Sequence, residues 1–133
     1  MRILLMRRLL GEPLAYILQR RVFYGETFLV MPGVLIPRPE SELIVDIACA
    51  QAQRWNRIAD FGCGSGCLAV TLAKRFNDSV VMAVDISSRC LDVTRANVSR
   101  HGMGKQVEFI QENIGTQPSQ IPSDTFDLVV ANH

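Results

Sequence analysis

Arg57-Ile58-Ala59-Asp60-Phe61-Gly62-Cys63-Gly64-Ser65-Gly66-Cys67-Leu68 is the stretch whose reading decides the fold. A short apolar run ends in an aspartate and opens into glycines at alternate positions. A helix-compatible segment follows over residues 68–76. Strand, tight glycine turn and helix, in that order, make the seat that nucleotide-type cofactors use. Glycine permits φ > 0 there and lets a ligand approach backbone that a side chain would cover. The spacing is G-x-G-x-G rather than the G-x-G-x-x-G of dinucleotide binders, and Cys67 stands where the third glycine of that fingerprint falls.

Downstream, residues 79–85 form a second apolar run that also ends in an acid, Asp85. It follows the glycine turn by about twenty residues, the distance at which an acid in such folds accepts the ribose hydroxyls. A carboxylate suits that task because it is acceptor-only and can take two donors at once. Asp85 could instead cap the next helix, but Ser87 and Ser88 can do that themselves. The helix over residues 89–100 carries Leu91, Val93, Thr94, Ala96 and Val98, with Arg95 and Arg100 outside, and His101-Gly102-Met103-Gly104 ends it. Residues 106–110 alternate and predict a third strand, with Gln111-Glu112-Asn113-Ile114 at its end. A polar loop with Pro118 and Pro122 leads to a fourth strand over residues 126–131, then Asn132 and His133. Alternation of strand and helix predicts a parallel sheet, with ligands at the C-terminal strand ends. Those ends are the glycine turn, Asp85, Asn113-Ile114 and Asn132, all on one edge.

Upstream, Pro32, Pro37 and Pro39 impose an extended path on residues 31–39. Pro39 suits a first helical turn, where Glu40 and Glu42 meet the positive end of the helix dipole. Leu43, Ile44, Ile47 and Ala48 then repeat at apolar helical spacing. Arg38, held between two prolines, is either a solvated side chain or a charge placed at a cleft by a stiff loop. Two β-rich runs around Gly25-Glu26 predict a hairpin, which must pack on a larger body to be stable. Before it, residues 14–18 can make a short connector, and residues 1–10 predict the end of a helix that packs on something. The proline-rich lead-in divides the chain into an N-terminal part, residues 1–36, and a body, residues 37–133.

With 133 residues, 48% of them hydrophobic and 20% charged, the chain has enough apolar surface for one small core. A net charge of +1 supplies no global field that would favour nucleic acid. The first apolar run is too short and too charged to span a membrane. Cys49, Cys63, Cys67 and Cys90 fit no zinc spacing and predict small buried thiols in a reducing compartment. His101 and His133 stand alone, without a paired nucleophile, and predict surface or terminal residues.

The stretch from Asp60 to Gly66 resembles motif I of class I S-adenosylmethionine-dependent methyltransferases. Gly11-Glu12-Pro13-Leu14-Ala15-Tyr16-Ile17-Leu18, Phe23-Tyr24-Gly25, and Val34-Leu35-Ile36-Pro37-Arg38-Pro39-Glu40-Ser41-Glu42 are similar to the HemK-type protein-(glutamine-N5) methyltransferases. That family methylates the glutamine of the Gly-Gly-Gln motif in peptide chain release factors. The glutamates after the Arg38-Pro39 pair favour the release-factor branch over the ribosomal-protein branch. The resemblance implies an α/β fold: a partial class I Rossmann-like parallel sheet preceded by a helix-plus-hairpin appendage. It implies S-adenosyl-L-methionine as cofactor and a release factor as protein partner, with neither direct nucleic-acid binding nor a membrane. The setting would be the cytoplasm, or mitochondria in a eukaryote. Gly62, Cys63, Gly64, Ser65 and Gly66 would wrap the methionine part. Asp85 would hold the ribose, and Asn113 and Ile114 would lie at the adenine. Arg38 and Asn132 would meet the substrate.

Asn132 matches the first residue of the family's Asn-Pro-Pro-Tyr motif, whereas position 133 is His. An amide nitrogen is a poor nucleophile because its lone pair is delocalised. In the family, the Asn carbonyl and a following proline carbonyl accept the amide hydrogens and aim the nitrogen at the methyl group. With Asn132 alone, the expectation is a chain truncated at both ends and impaired on the order of 10²-fold. A ribosomal-protein glutamine methyltransferase, a DNA amino-group methyltransferase and a non-catalytic cofactor-binding fragment are the alternatives.

Overall fold

The computed structural model describes residues 19–35, 37–51, 54–113 and 126–131. The expected N-terminal helix end and connector, the Pro118–Pro122 loop, Ile114, Asn132 and His133 lie outside the described residues, as does Ile36. The described elements are β1 (Arg20–Phe23), β2 (Glu26–Leu29), a 3-10 turn (Pro39–Ser41), α1 (Glu42–Ala50), β3 (Arg57–Phe61), α2 (Cys67–Arg75), β4 (Val80–Asp85), α3 (Ser88–Arg100), β5 (Val107–Gln111) and β6 (Leu128–Ala131).

Four strands form one sheet in the order β5-β4-β3-β6, every pair parallel. Central β3 is buried from Ile58 to Asp60, as a strand covered on both faces must be. Phe61 lies opposite Val84 on one side and Ala131 on the other. Asp85 lies opposite Gln111. These registers bring all four C-terminal ends to one edge. α2 and α3 touch each other and both rest on β4, so they share one face of the sheet.

The hairpin packs into the same core. Phe23 and Phe28 meet edge to face, with centroids 6.3 Å apart, inside the apolar cluster that holds Ile58, Leu72 and Val81. Its turn differs from the expected Gly25-Glu26. Phe23 pairs with Glu26, so Tyr24-Gly25 is the two-residue turn, with φ of 50° and 77°. That is the type I′ geometry matching strand twist. Tyr24 tolerates the strained φ because its ring lies under the Arg75 guanidinium and its hydroxyl donates to Asp46 on α1.

α1 also departs from expectation. Val45 and Ala48 are its buried residues, whereas Leu43 and Ile47 are 57% and 60% exposed. The apolar stripe is wider than the surface covering it among the described residues. Trp55 braces the helix end by donating from Nε1 to Ala48 O at 3.0 Å.

His101 is not a surface residue. Its ring stacks on Phe28 at 4.5 Å and only 7% of its side chain is exposed. Nε2 lies 2.8 Å from Thr27 O. A carbonyl can only accept, so Nε2 carries the proton.

Candidate active site

β3 ends in the glycine turn, where Gly62, Gly64 and Gly66 adopt φ of 76°, 56° and 86°. Alternate left-handed residues coil the chain back onto β4 before α2 begins. At Gly66 the requirement is twofold, because a Cβ there would also lie 2.8 Å from Thr94 Cγ2 and 3.1 Å from Thr94 Cα. The turn is held largely from within. Gly62 and Cys63 both donate to Val84 O, at 2.8 and 3.0 Å, and Gly66 donates to Cys63 O at 2.8 Å. Thr94 donates to Gly64 O at 2.9 Å, and Asn97 donates to Ser65 O at 2.7 Å.

Asp85 joins the turn to α3. Its Oδ2 accepts from Gly64 N at 3.0 Å and its Oδ1 from Ser87 N at 3.0 Å. Ser87 in turn caps α3 by accepting from Cys90 N at 3.2 Å. Asp85 thus organises the start of α3 while Ser87 supplies the cap itself, and a carboxylate oxygen that holds one donor can still accept another. Glu112 N donates to Asp85 O at 3.0 Å, which brings the end of β5 alongside. Asn113 follows there and is exposed.

Asp60, in the glycine stretch, is a residue to which the sequence reading assigns no role. It is 1% exposed and neither carboxylate oxygen has a hydrogen-bond partner among the described residues. Burial, and then the charge of Asp85, push its carboxyl up to about 7. The Ala69 amide pulls the other way but falls short of hydrogen-bond geometry. Asp60 lines a cavity of about 20 Å³ whose walls include Phe23, Leu35, Pro37 and residues of the glycine turn. The signal available in the sequence was an acid closing an otherwise apolar buried strand: such a group needs a partner. Arg38 is exposed next to Pro37, at the start of the 3-10 turn.

The cysteines of the turn are inert thiols. Burial pushes Cys63 and Cys67 up to about 12, so neither is a thiolate near neutrality. Cys90 is buried and Cys49 exposed. Among the described residues no group of three or more His, Cys, Asp or Glu could hold a metal ion. No helix among them is long and apolar enough to cross a membrane.

Comparison with known proteins agrees with this fold. A family model described as "Methyltransferase domain" matches residues 58–133. The release factor glutamine methyltransferase of Koribacter versatilis is 44% identical over 128 residues, covering 95% of this chain and 44% of that protein. The protein of the same name from Neisseria gonorrhoeae is 43% identical, covering 95% of this chain and 45% of its own length. The chain therefore spans under half the length of these curated relatives. Among solved structures, a precorrin 8w decarboxylase from Methanobacterium thermoautotrophicum superposes with a TM-score of 0.63 at 26% identity, over 78% of this chain and 54% of that one. The S-adenosylmethionine-dependent methyltransferase SibL gives a TM-score of 0.58 at 27% identity, over 71% of this chain and 27% of that one. The family match begins at Ile58, the second residue of β3, and takes in the glycine turn and Asp85: the chain belongs to the methyltransferase-domain family.

Proposed function

We propose that this chain forms the S-adenosylmethionine-binding part of an enzyme that methylates the Gly-Gly-Gln glutamine of peptide chain release factors, in the cytoplasm. The observation that carries the cofactor reading is Asp60. A buried carboxylate with no partner among the described residues, in the wall of a cavity beside a glycine turn, is matched by a small cation carried on a larger ligand. The cofactor's amino-acid end supplies an ammonium group. The cavity of about 20 Å³ admits a group of that size. A whole ligand of the drug-sized class needs about 300 Å³ or more, so the nucleoside part lies across the strand ends. Asp85 accepts from the ribose hydroxyls there, and Asn113 and Ile114 flank the base.

When bound, the cofactor supplies an electrophilic methyl group. The chain's own residues bind, orient and shield. Gly62, Cys63, Gly64, Ser65 and Gly66 give a backbone surface of fixed shape, because most of their polar groups are already paired within the protein. Asn132 accepts an amide hydrogen of the substrate glutamine through its side-chain oxygen, and Arg38 on its stiff lead-in meets the substrate protein. The release-factor assignment rests on the named relatives and on the Pro37-Arg38-Pro39-Glu40 lead-in.

Two measurements test this. Calorimetry with S-adenosylhomocysteine is expected to give one site per chain, weakened at least tenfold by Asp85→Ala. Labelled methyl transfer to a release factor is expected to require the Gly-Gly-Gln glutamine. Failure of the wild-type chain to bind S-adenosylhomocysteine removes the cofactor reading. Equal labelling of a factor lacking that glutamine removes the substrate reading.

A further inference from the structure

α3 turns two fully buried polar side chains inward, Thr94 and Asn97. Thr94 holds Gly64 O, as described above. Asn97 does more. Its Oδ1 accepts from Leu29 N at 2.7 Å, and its Nδ2 donates to Leu29 O at 3.0 Å and to Ser65 O at 2.7 Å. Both amide hydrogens are thereby used, one on the hairpin and one on the glycine turn.

Leu29 is bound this way for a reason set by strand register. It lies opposite Arg20, while the next pair along is bonded through Val30 N and Gln19 O. Hydrogen-bonded and non-bonded pairs alternate along an antiparallel ladder. Leu29 therefore points its N–H and C=O away from β1, as does Thr27 two residues earlier. Asn97 takes both groups of Leu29, and His101, one helical turn further on, takes Thr27 O. The face of α3 acts as the missing neighbour of β2.

The hairpin also reaches the cavity. Phe23 of β1 forms one wall and the glycine turn another. If the hairpin shifts, Asn97 must either release Leu29, stranding buried donors and acceptors, or drag Ser65 with it.

We propose that Asn97 is a positioning residue that couples hairpin docking to the shape of the glycine turn, so that the hairpin sets cofactor affinity. This rests on the cofactor reading above. Coupling of this kind is reciprocal: cofactor on the turn must tighten the hairpin to the same degree.

The test measures S-adenosylhomocysteine affinity by calorimetry, together with amide exchange across residues 27–30 with and without that ligand. In the wild-type chain the ligand is expected to slow exchange at the hairpin. Asn97→Asp keeps the side-chain size and the acceptor for Leu29 N but removes both donors. It is expected to raise Kd tenfold or more and to make hairpin exchange indifferent to ligand. His101→Ala loosens the hairpin at Thr27 without touching the turn, and is expected to raise Kd about threefold. If Asn97→Asp does not fold, His101→Ala decides the matter: a hairpin that exchanges faster while S-adenosylhomocysteine binds with unchanged affinity overturns the coupling. A folded Asn97→Asp chain with lowered Tm but wild-type Kd shows a purely structural amide and also overturns it. No binding by the wild-type chain overturns this proposal together with the cofactor reading, whereas binding by wild type and variant alike overturns this proposal alone.

Discussion

At Asp60 the chain keeps in its interior a carboxylate with no hydrogen-bond partner among the described residues, and the energetic consequence has a definite sign. The folded carboxyl titrates at about 7, above the ordinary 3.8. Between those values the native state holds a proton that the unfolded state has lost, so stability falls as pH rises from about 4 to about 7. The loss is complete above pH 7 and amounts to on the order of 4 kcal/mol. Asp60→Asn removes the titration while keeping the shape. Its Tm should match wild type near pH 4 and exceed it at pH 8, and equal values at pH 8 would contradict a buried, unpaired charge. The same variant should bind S-adenosylhomocysteine more weakly, because an amide cannot neutralise an ammonium. In the wild type, affinity should rise with pH up to about 7, the range over which the carboxylate forms. Gly66 gives a second test of single atoms. Gly66→Ala drives a Cβ into Thr94 at a φ of 86°, and should destabilise by about 1–3 kcal/mol. Thr94→Ser in the same chain removes Cγ2 but leaves the backbone contact and the φ. Only part of the loss should therefore return in denaturant melts.

Between elements, side-chain amides bind where helices and strands cannot bond one another. Gln106, just before β5, sends Nε2 to within 2.9 Å of Ala73 O and 3.2 Å of both Phe76 O and Ser79 O. These carbonyls lie around the C-terminus of α2, where helices leave acceptors unmatched. Gln106→Ala should cost about 1–3 kcal/mol by urea denaturation, and Gln106→Glu more, since a carboxylate would face three carbonyl oxygens. An unmoved urea midpoint in Gln106→Ala would mean that solvent replaces these bonds without loss. The strands and helices of the sheet were legible in the sequence because buried parallel strands read as apolar runs and the glycines mark the turn between them. What escaped depended on partners distant in sequence. The hairpin turn was shifted by one residue because Tyr24 carries no turn signal; Arg75 and Asp46 make its φ tolerable. Asn97 sits on the apolar stripe of α3 beside Thr94 and Val98, and a polar residue there implies partners without naming them. On α1 the pattern of Leu43, Ile44, Ile47 and Ala48 showed an apolar helix but could not tell which part of the stripe is covered.

For the whole molecule, that uncovered stripe has consequences. The edge where the strand ends converge was legible because strand order and parallel direction together fix it. The side of the sheet beyond β6 was not, since exposure there depends on what else packs against it. Among the described residues β6 pairs with β3 alone, leaving its other edge unpaired. Next to that edge runs a groove of about 430 Å³ lined by Ile44, Ile47, Trp55 and residues 128–131. Of its lining residues, Ile47 and Val129 are 60% and 48% exposed. An unpaired strand edge beside an apolar groove is a template for association. The chain in isolation should therefore self-associate as its concentration rises, read by light scattering behind a sizing column. Ile47→Lys combined with Val129→Lys should restore a monomer over the same range, because each places a charge at the groove without disturbing a buried residue. Val22→Lys is the control, since Val22 is 66% exposed but lies on β1, which is no part of that groove. If the control abolishes association as well as the double variant does, general solubility is at work rather than this face. If the wild-type chain stays monomeric at every concentration, the exposed stripe on α1 and β6 is too weakly apolar to act as an interface.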